Sequence, residues 1–410
     1  MVWDFVKIGD VCKTGAGGTP LKSRKEYYEG GTIPWLLSGE VAQGEIHKSE
    51  TFITQTGLDN SSAKIFPVNT VLVAMYGATA GQVGILRCEA ATNQAVCGIL
   101  PNSNFVPEFL FYAMLSKQAE LISTATGNAQ PNISQIKVKN TIIPLPPLPE
   151  QKRIVAILDE AFAGIDAAVA NTEKNLANAR ELFESYLNAV FTQNGDGWVE
   201  KKLGEMCERV TKGSSPKWQG IEYVEKPGVL FVTSENVGTN QMLFNKIKYV
   251  EEAFNQKDSK SILKRGDVLT NIVGASIGRT AVYDRDDLAN INQAVCLLRC
   301  EPDRLTNTYL AYLLNSPFFK QILHDNEIDN ARANLSLGFF KGLTIPVPPV
   351  EKQVSIVAEI DALREQTQRL ESIYQRKLEA LAELKQSILQ KAFAGELTAL
   401  PEKQIEEAVA

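Results

Sequence analysis

Hydrophobic positions along this chain follow two different periods, and the two patterns alternate. Over residues 1–143, short apolar runs such as "TVLVAMY" carry β-branched residues and stop at glycine-rich turns, which predicts strands. A helix is expected over "PEFLFYAMLSKQAELIS", with Pro107 near its start, where a missing N–H costs nothing. The proline run "PLPPLP" then excludes both helix and central strand and predicts a stiff, extended exit. Beyond it the period lengthens. Apolar residues fall at Ile154, Leu158, Phe162, Ile165, Val169, Leu176, Phe183, Leu187 and Val190, a heptad-like stripe along one long helix. The scheme then recurs: a strand-rich stretch, a helix over "NTYLAYLLN" that Pro317 stops or kinks, the run "PVPP", and a second stripe at Ile356, Ile360, Leu363, Leu370, Tyr374, Leu378, Leu381, Leu384 and Ile388.

The recurrence extends to residue identity. "VKIGDVC" at 6–12 matches "KKLGEMC" at 201–207, and "LLSGEV" at 36–41 echoes "VTSENV" at 232–237. "NTVLVAMYGATAG" at 69–81 echoes "GDVLTNIVGASIG" at 266–278, and NQAVC stands at 93–97 and again at 292–296. "NAQPNIS" at 128–134 echoes "NARANLS" at 330–336, and "IPLPPLPEQKRIVAILD" at 143–159 echoes "IPVPPVEKQVSIVAEID" at 345–361. The offset grows from 195 to 202 and never reverses, as a tandem duplication with small loop insertions requires; the unit is too long for a solenoid repeat.

Two amphipathic helices of about 40 residues, each roughly 60 Å long, cannot hide their apolar seams alone. The economical solution packs them on each other, and a pseudo-twofold relation between the repeats would make them antiparallel with a head at either end. The expected fold class is α+β: two mixed α/β heads separated by two long antiparallel helices packed as a coiled coil. The expected segments are a first head over 1–148, a central helical spacer over 149–196, a second head over 197–349, a C-terminal helical spacer over 350–400 and a tail over 401–410.

Composition narrows the function by exclusion. At 44% hydrophobic and 22% charged the chain is globular and water-soluble in type. "MVWDFVKIGD" lacks the basic start and apolar stretch of a signal peptide, and the most apolar run is broken by Gly and Gln82 and too short to span a bilayer comfortably. A cytoplasmic protein with no membrane partner is expected. Six cysteines without a C-x-x-C and only two histidines argue against zinc; Cys12 and Cys207, like Cys97 and Cys296, occupy equivalent positions and read as small buried thiols. No P-loop, dinucleotide fingerprint, nucleophile elbow or H-E-x-x-H is present. His47 and His324 are not repeat-equivalent, and Asp159, Glu160 and Asp166 read as a solvated helix face. No catalytic or metal site is expected in this chain, and no cofactor; it reads as a binding device with two similar heads.

The polar loops of the heads carry the candidate contacts. The first offers "TGAGGTPLKSRKEYYEGG", with Lys22, Arg24, Lys25 and Tyr27; the second offers "TKGSSPKWQG", with Lys212, Lys217 and Trp218. Basic plus aromatic residues suit phosphates and base edges, and equally suit an ordinary surface loop. A scaffold whose heads bind protein or sugar stays open. So does a weaker third reading, an intrinsic nuclease, for which no paired carboxylate–lysine signature stands out.

The order of head, proline-rich exit and helix, twice over, resembles the specificity subunit of a type I restriction–modification enzyme. So do "PLPPLPEQKRIVAILDEAFAGIDA", "IPVPPVEKQVSIVAEIDAL" and the head openings "KIGDVC" and "KLGEMC". The resemblance spans essentially the whole chain. It implies two target-recognition domains, each reading half of a bipartite asymmetric site in double-stranded DNA, and helices that set the spacer and dock two modification subunits. Those subunits carry S-adenosylmethionine and methylate adenine; ATP-hydrolysing restriction subunits, with Mg, join the assembly. The specificity arm of a type II-like restriction–modification enzyme is the nearest alternative. Within the heads, NQAVC is expected to end a strand, with Ala, Val and Cys in the core and Asn93, Asn292, Gln94 and Gln293 either fixing a loop or touching DNA. The glycines at 77, 81, 274 and 278 should form turns, with Thr79, Ser276 and Arg279 on them as DNA candidates; Gln130, Asn132, Arg332 and Asn334 complete the set. The rod's outer face and "EQKRIV" are expected to meet the modification subunits. The net charge of −6 is low for a lone DNA reader, so those subunits are expected to supply much of the phosphate clamp. Four residues added near 188–191 should change the spacer by about a base pair.

Overall fold

A computed structural model describes residues 3–123, 125, 132–193, 195, 197–225, 228–328 and 333–398. The chain forms two compact units, one of Met1–Thr172 with Arg376–Ala410 and one of Glu173–Gln375. They cut across the linear segmentation. The long helices α1 (Leu148–Thr192) and α2 (Val350–Phe393) each give their first half to one unit and their second half to the other.

In the first unit, strand Asp4–Lys7 pairs antiparallel with Ile142–Leu145, tying the chain start to the proline exit. A five-stranded sheet runs Thr14–Ala16, Val96–Ile99, Val71–Ala74, Val83–Leu86, Glu45–Ile46; a four-stranded one runs Phe52–Ile53, Ile33–Leu36, Ala90–Thr92, Ile65–Phe66. The central strands Val71–Ala74, Val83–Leu86 and Val96–Ile99 are buried throughout, which is why they read as continuous apolar runs. The second unit repeats the plan. Val199–Lys202 pairs with Thr344–Val347 in the register of its counterpart. One four-stranded sheet runs Cys207–Lys212, Val295–Cys300, Val268–Asn271, Thr280–Val282; the other runs Tyr223–Val224, Tyr249–Val250, Val229–Val232, Ala289–Ile291.

The expected head helix over residues 107–123 is two helices, Pro107–Ser116 and Gln118–Ser123. Its counterpart Asn307–Asn315 stops, and Pro317 takes the first turn of a new helix, Pro317–Asp325, capped by Ser316. NQAVC does not end a strand. Asn93 and Asn292 follow the strands Ala90–Thr92 and Ala289–Ile291, the next two residues turn, and Val96 and Val295 open new strands. Val96, Cys97, Val295 and Cys296 are fully buried, whereas Ala95 and Ala294 are only half-buried. Burial pushes the Cys97 thiol up to about 12, so it stays protonated and inert.

The stripes are consumed mainly at the helix ends. In the first unit Ile154, Leu158, Phe162 and Ile165 of α1 enter the head core together with Leu389, Ala392 and Phe393 from the end of α2. In the second, Ile356 and Ile360 of α2 enter the core with Leu187 and Phe191 from the end of α1. Each head core is therefore completed by a helix end from the other repeat. Within the second unit Arg180 bonds Glu371 at 2.9 Å and Tyr186 bonds Glu359 at 2.9 Å. As one helix advances the other retreats, so they are antiparallel. In the first unit Lys385 bonds Asp166 and lies 4.7 Å from the centroid of the Phe162 ring. Between the ends the buried positions turn small or polar: Thr172 in the first unit, Ala179 and Thr367 in the second. Each Thr hydroxyl satisfies itself on a carbonyl one turn back.

Two side chains fix each long helix to its own head, in duplicate. Gln151 is fully buried; it accepts from Val106 N and donates to Asn104 O and Pro146 O. Gln353 makes the same three bonds, to Thr306 N, Arg304 O and Pro348 O. Tyr112 donates to Asp159 and Tyr312 to Asp361; burial, then the carboxylate, raise both phenols, which therefore stay protonated donors. Gln151 thus belongs to the fold, although "EQKRIV" reads as an outer surface. Asp159, Glu160 and Asp166 are exposed, as the sequence reads them, and Asp159 and Asp166 also bond Tyr112 and Lys385.

Replacing either glutamine by alanine strands buried backbone groups and is expected to cost about 1–3 kcal/mol. Urea unfolding of Gln151→Ala and Gln353→Ala should show similar losses, because the two clamps are the same.

Candidate nucleic-acid interface

In each head one backbone residue gathers the candidate loops. Met75, just past the buried strand Val71–Ala74, donates to Ala95 O at 2.7 Å and accepts from Ile133 N at 2.8 Å. Its neighbour Tyr76 bridges to Asn132. The turn with Thr79, the turn with Asn93 and the segment with Asn132 therefore meet at one end of the sheet. Ile272 does the same in the second head: it donates to Ala294 O and accepts from Leu335 N, both at 2.9 Å, and Val273 bridges to Asn334. Ser276, Arg279, Asn292 and Asn334 are so brought together. Gln130 and Arg332 lie outside the described residues.

The basic loops join the same ends. Gly17 N bonds Val96 O at 3.0 Å and Gly18 N bonds Thr92 O at 2.9 Å, which starts the loop of Lys22, Arg24, Lys25 and Tyr27 beside the Asn93 turn. Lys212 is the last residue of its strand and sits opposite Cys296, next to the Asn292 turn. Only glycine fits where the loops depart. A Cβ on Gly17 would lie 2.1 Å from Thr92 Oγ1, and one on Gly213 would lie 1.7 Å from Ile291 O. The glycines at 77, 81, 274 and 278 all have positive φ and close the turns as expected.

The side chains divide by task. Asn93 Oδ1 accepts from Ala95 N, and Asn292 Oδ1 from Ala294 N, each at 3.1 Å. These Asx turns shape the loop, while each Nδ2 has no protein partner among the described residues. Ser276 Oγ accepts from the buried Asn271 Nδ2 at 3.2 Å. Arg24 and Lys25 lean on Glu26 and Glu29 in exposed pairs of little strength. Lys22, Lys212, Lys217 and Arg279 are exposed and make no ion pair among the described residues. In an acidic chain, unpaired cations such as Lys212 and Arg279 at one end of the second head's sheet suit an anionic ligand. Sequence reasoning missed Lys320. Helix Pro317–Asp325 packs through Leu323 against Gly278, and the Lys320 ammonium is lowered by burial, raised by Glu184 and lowered again by Arg279. No repeat signal marks it, because "PFFKQILHD" has no sustained echo in the first head's "KQAELIS".

Among the described residues no group of three His, Cys, Asp or Glu could hold a metal ion, and no helix is long and apolar enough to cross a membrane. What the geometry defines is a pair of like-built heads that present donors and cations on unlike loops.

The chain belongs to the type I restriction modification DNA specificity domain family, whose model matches residues 2–176 and 195–380. Its function is that of a DNA sequence-specificity subunit. It is 25% identical over 332 residues to the type I restriction enzyme EcoBI specificity subunit of Escherichia coli, covering 76% of this chain and 70% of that one. To the MjaVIII specificity subunit of Methanocaldococcus jannaschii it is 23% identical, covering 96% and 93%. The fold matches the HsdS subunit crystal structure from Thermoanaerobacter tengcongensis with a TM-score of 0.62 at 24% identity, over 96% of this chain and 97% of that one. A chain from a study of complex assembly and conformational transition in a type I R-M system gives 0.77 at 24%, over 96% and 98%.

Arg279→Ala is expected to weaken DNA binding uniformly across sequences and to lower the salt slope by about one; fluorescence anisotropy at several salt concentrations measures both.

Proposed function

We propose that each head reads one half of a bipartite, asymmetric DNA site, and that the paired helices set the spacing between the halves. The observation that carries this is the contrast between frame and loops. The frame is duplicated bond for bond at Gln151 and Gln353, Tyr112 and Tyr312, Asn93 and Asn292. The loops it presents, "TGAGGTPLKSRK" and "TKGSSPKW", are chemically unlike. Equivalent mounting with different contacts is what two different half-sites need. Arginine suits guanine, and asparagine or glutamine suits adenine.

In this reading the chain performs no chemistry. Two modification subunits bring S-adenosylmethionine and methylate adenine; restriction subunits bring ATP and Mg. The net charge of −6 supports a division of labour in which those partners grip much of the phosphate backbone and this chain supplies base readout. Gel shifts of the chain alone should accordingly show weak binding, and those with its modification subunit tight, specific binding.

Exchanging residues 1–148 for another first head, with the rest of α1 and all of α2 kept, should change one half of the methylated motif and leave the other intact, as read by single-molecule methylome sequencing. A motif altered in both halves or in neither would contradict the proposal. The spacer is tested by inserting four residues after Thr172. Residues 188–191 are unsuitable because Leu187 and Phe191 belong to the second head's core. The methylome should then show a changed spacer between unchanged half-sites.

A further inference from the structure

Trp218 is 84% exposed, the most exposed large hydrophobic side chain among the described residues. The turn that carries it is nevertheless held on every side. Pro216 O accepts from Gln219 N at 2.9 Å and Ile221 N at 3.0 Å, and Gly220 closes the turn with φ 65°. Gln219 Nε2 bonds Ser214 Oγ at 2.5 Å, Ser214 Oγ bonds the buried Asp258 at 2.6 Å, and Lys257 Nζ bonds Gln219 O at 2.6 Å. Ile221 is anchored in a small core with Val229, Phe231 and Phe254. These bonds restrain the turn's backbone, and the indole it carries stands in solvent. A tryptophan on a restrained backbone, with only two side-chain torsions to order, loses little entropy when a ligand covers it. Lys217 precedes it, and Lys212, at the loop's root, joins the gathered candidates.

Among the described residues the first head has no equivalent. Tyr27 and Tyr28 are half-buried, Tyr28 Oη bonds Pro20 O, and the exposed apolar residue of the loop is Leu21. We propose that Trp218 inserts its indole into the base stack of the second head's half-site, with the flanking lysines on the adjoining phosphates. Apolar wedges of this kind unstack a base step and kink the duplex, and an indole face stacks on any base. The two half-sites would then be read by different means, one with a local unstacking and one without. This rests on the DNA-reading function proposed above.

The test uses the full chain with its modification subunit on a short duplex carrying the host's methylated motif, with 2-aminopurine placed at successive steps. Emission should rise at one step, in one half-site only. Trp218→Ala should abolish that rise and weaken binding about tenfold to a hundredfold, and Trp218→Phe should keep most of both. If Trp218→Ala leaves emission and affinity intact while Arg279→Ala weakens binding, insertion is wrong and DNA reading by the second head stands. If neither substitution affects binding, that reading falls with it. A blue shift of Trp218 emission on adding the modification subunit without DNA would also overturn insertion, because the ring would then be covered by protein.

Discussion

Everything in this fold depends on where two apolar stripes go. α1 and α2 each carry more hydrophobic surface than a lone helix in water tolerates, and each buries it at both ends. Ile154, Leu158 and Phe162 fill the first head's core, and Leu187 and Phe191 fill the second's. α2 does the reverse, with Ile356 and Ile360 in the second and Leu389, Ala392 and Phe393 in the first. Exposed ion pairs such as Arg180–Glu371 contribute little beside this burial; their value lies in fixing register. Because each core contains a helix end from the other repeat, neither repeat is a complete folding unit by itself.

The proposed reading surface is built on this frame. Gln151 and Gln353 lock the helix starts onto the loops that open the head helices, and Tyr112 and Tyr312 lock those helices back onto α1 and α2. The buried central strands run from that scaffold to Met75 and Ile272, where three loops are gathered by main-chain bonds. Main-chain gathering leaves the side chains free to differ. A head can change what it recognises without changing how it is built, and the two heads of this chain show that contrast between an exposed Leu21 and an exposed Trp218.

Much of the architecture was legible in the sequence because it is written in local periodicity. The stripes, the proline exits and the rising offset of the repeats need no three-dimensional information. The roles of single polar residues were less legible. The repeat of NQAVC marks Asn93 and Asn292 as important, but only the bonds to Ala95 N and Ala294 N show that they shape a turn. Gln151 and Gln353 carry the same signal and sit among charged residues, where a buried amide looks like a surface one. Lys320 carries no signal at all, since its setting is made by the packing of Leu323 on Gly278. That Thr79, Asn93 and Asn132 converge rests on main-chain pairings across separated segments, which no local pattern encodes.

The dependence of each core on the other repeat's helix can be measured directly by ending the chain at Gln375 and following amide hydrogen exchange. The truncated chain lacks Leu389, Ala392 and Phe393. Protection should collapse in the first head, in strand Val71–Ala74 and helix Pro107–Ser116, and persist in strand Val268–Asn271 of the second. Unchanged protection of the first head would contradict the account, because its core would then be complete without α2.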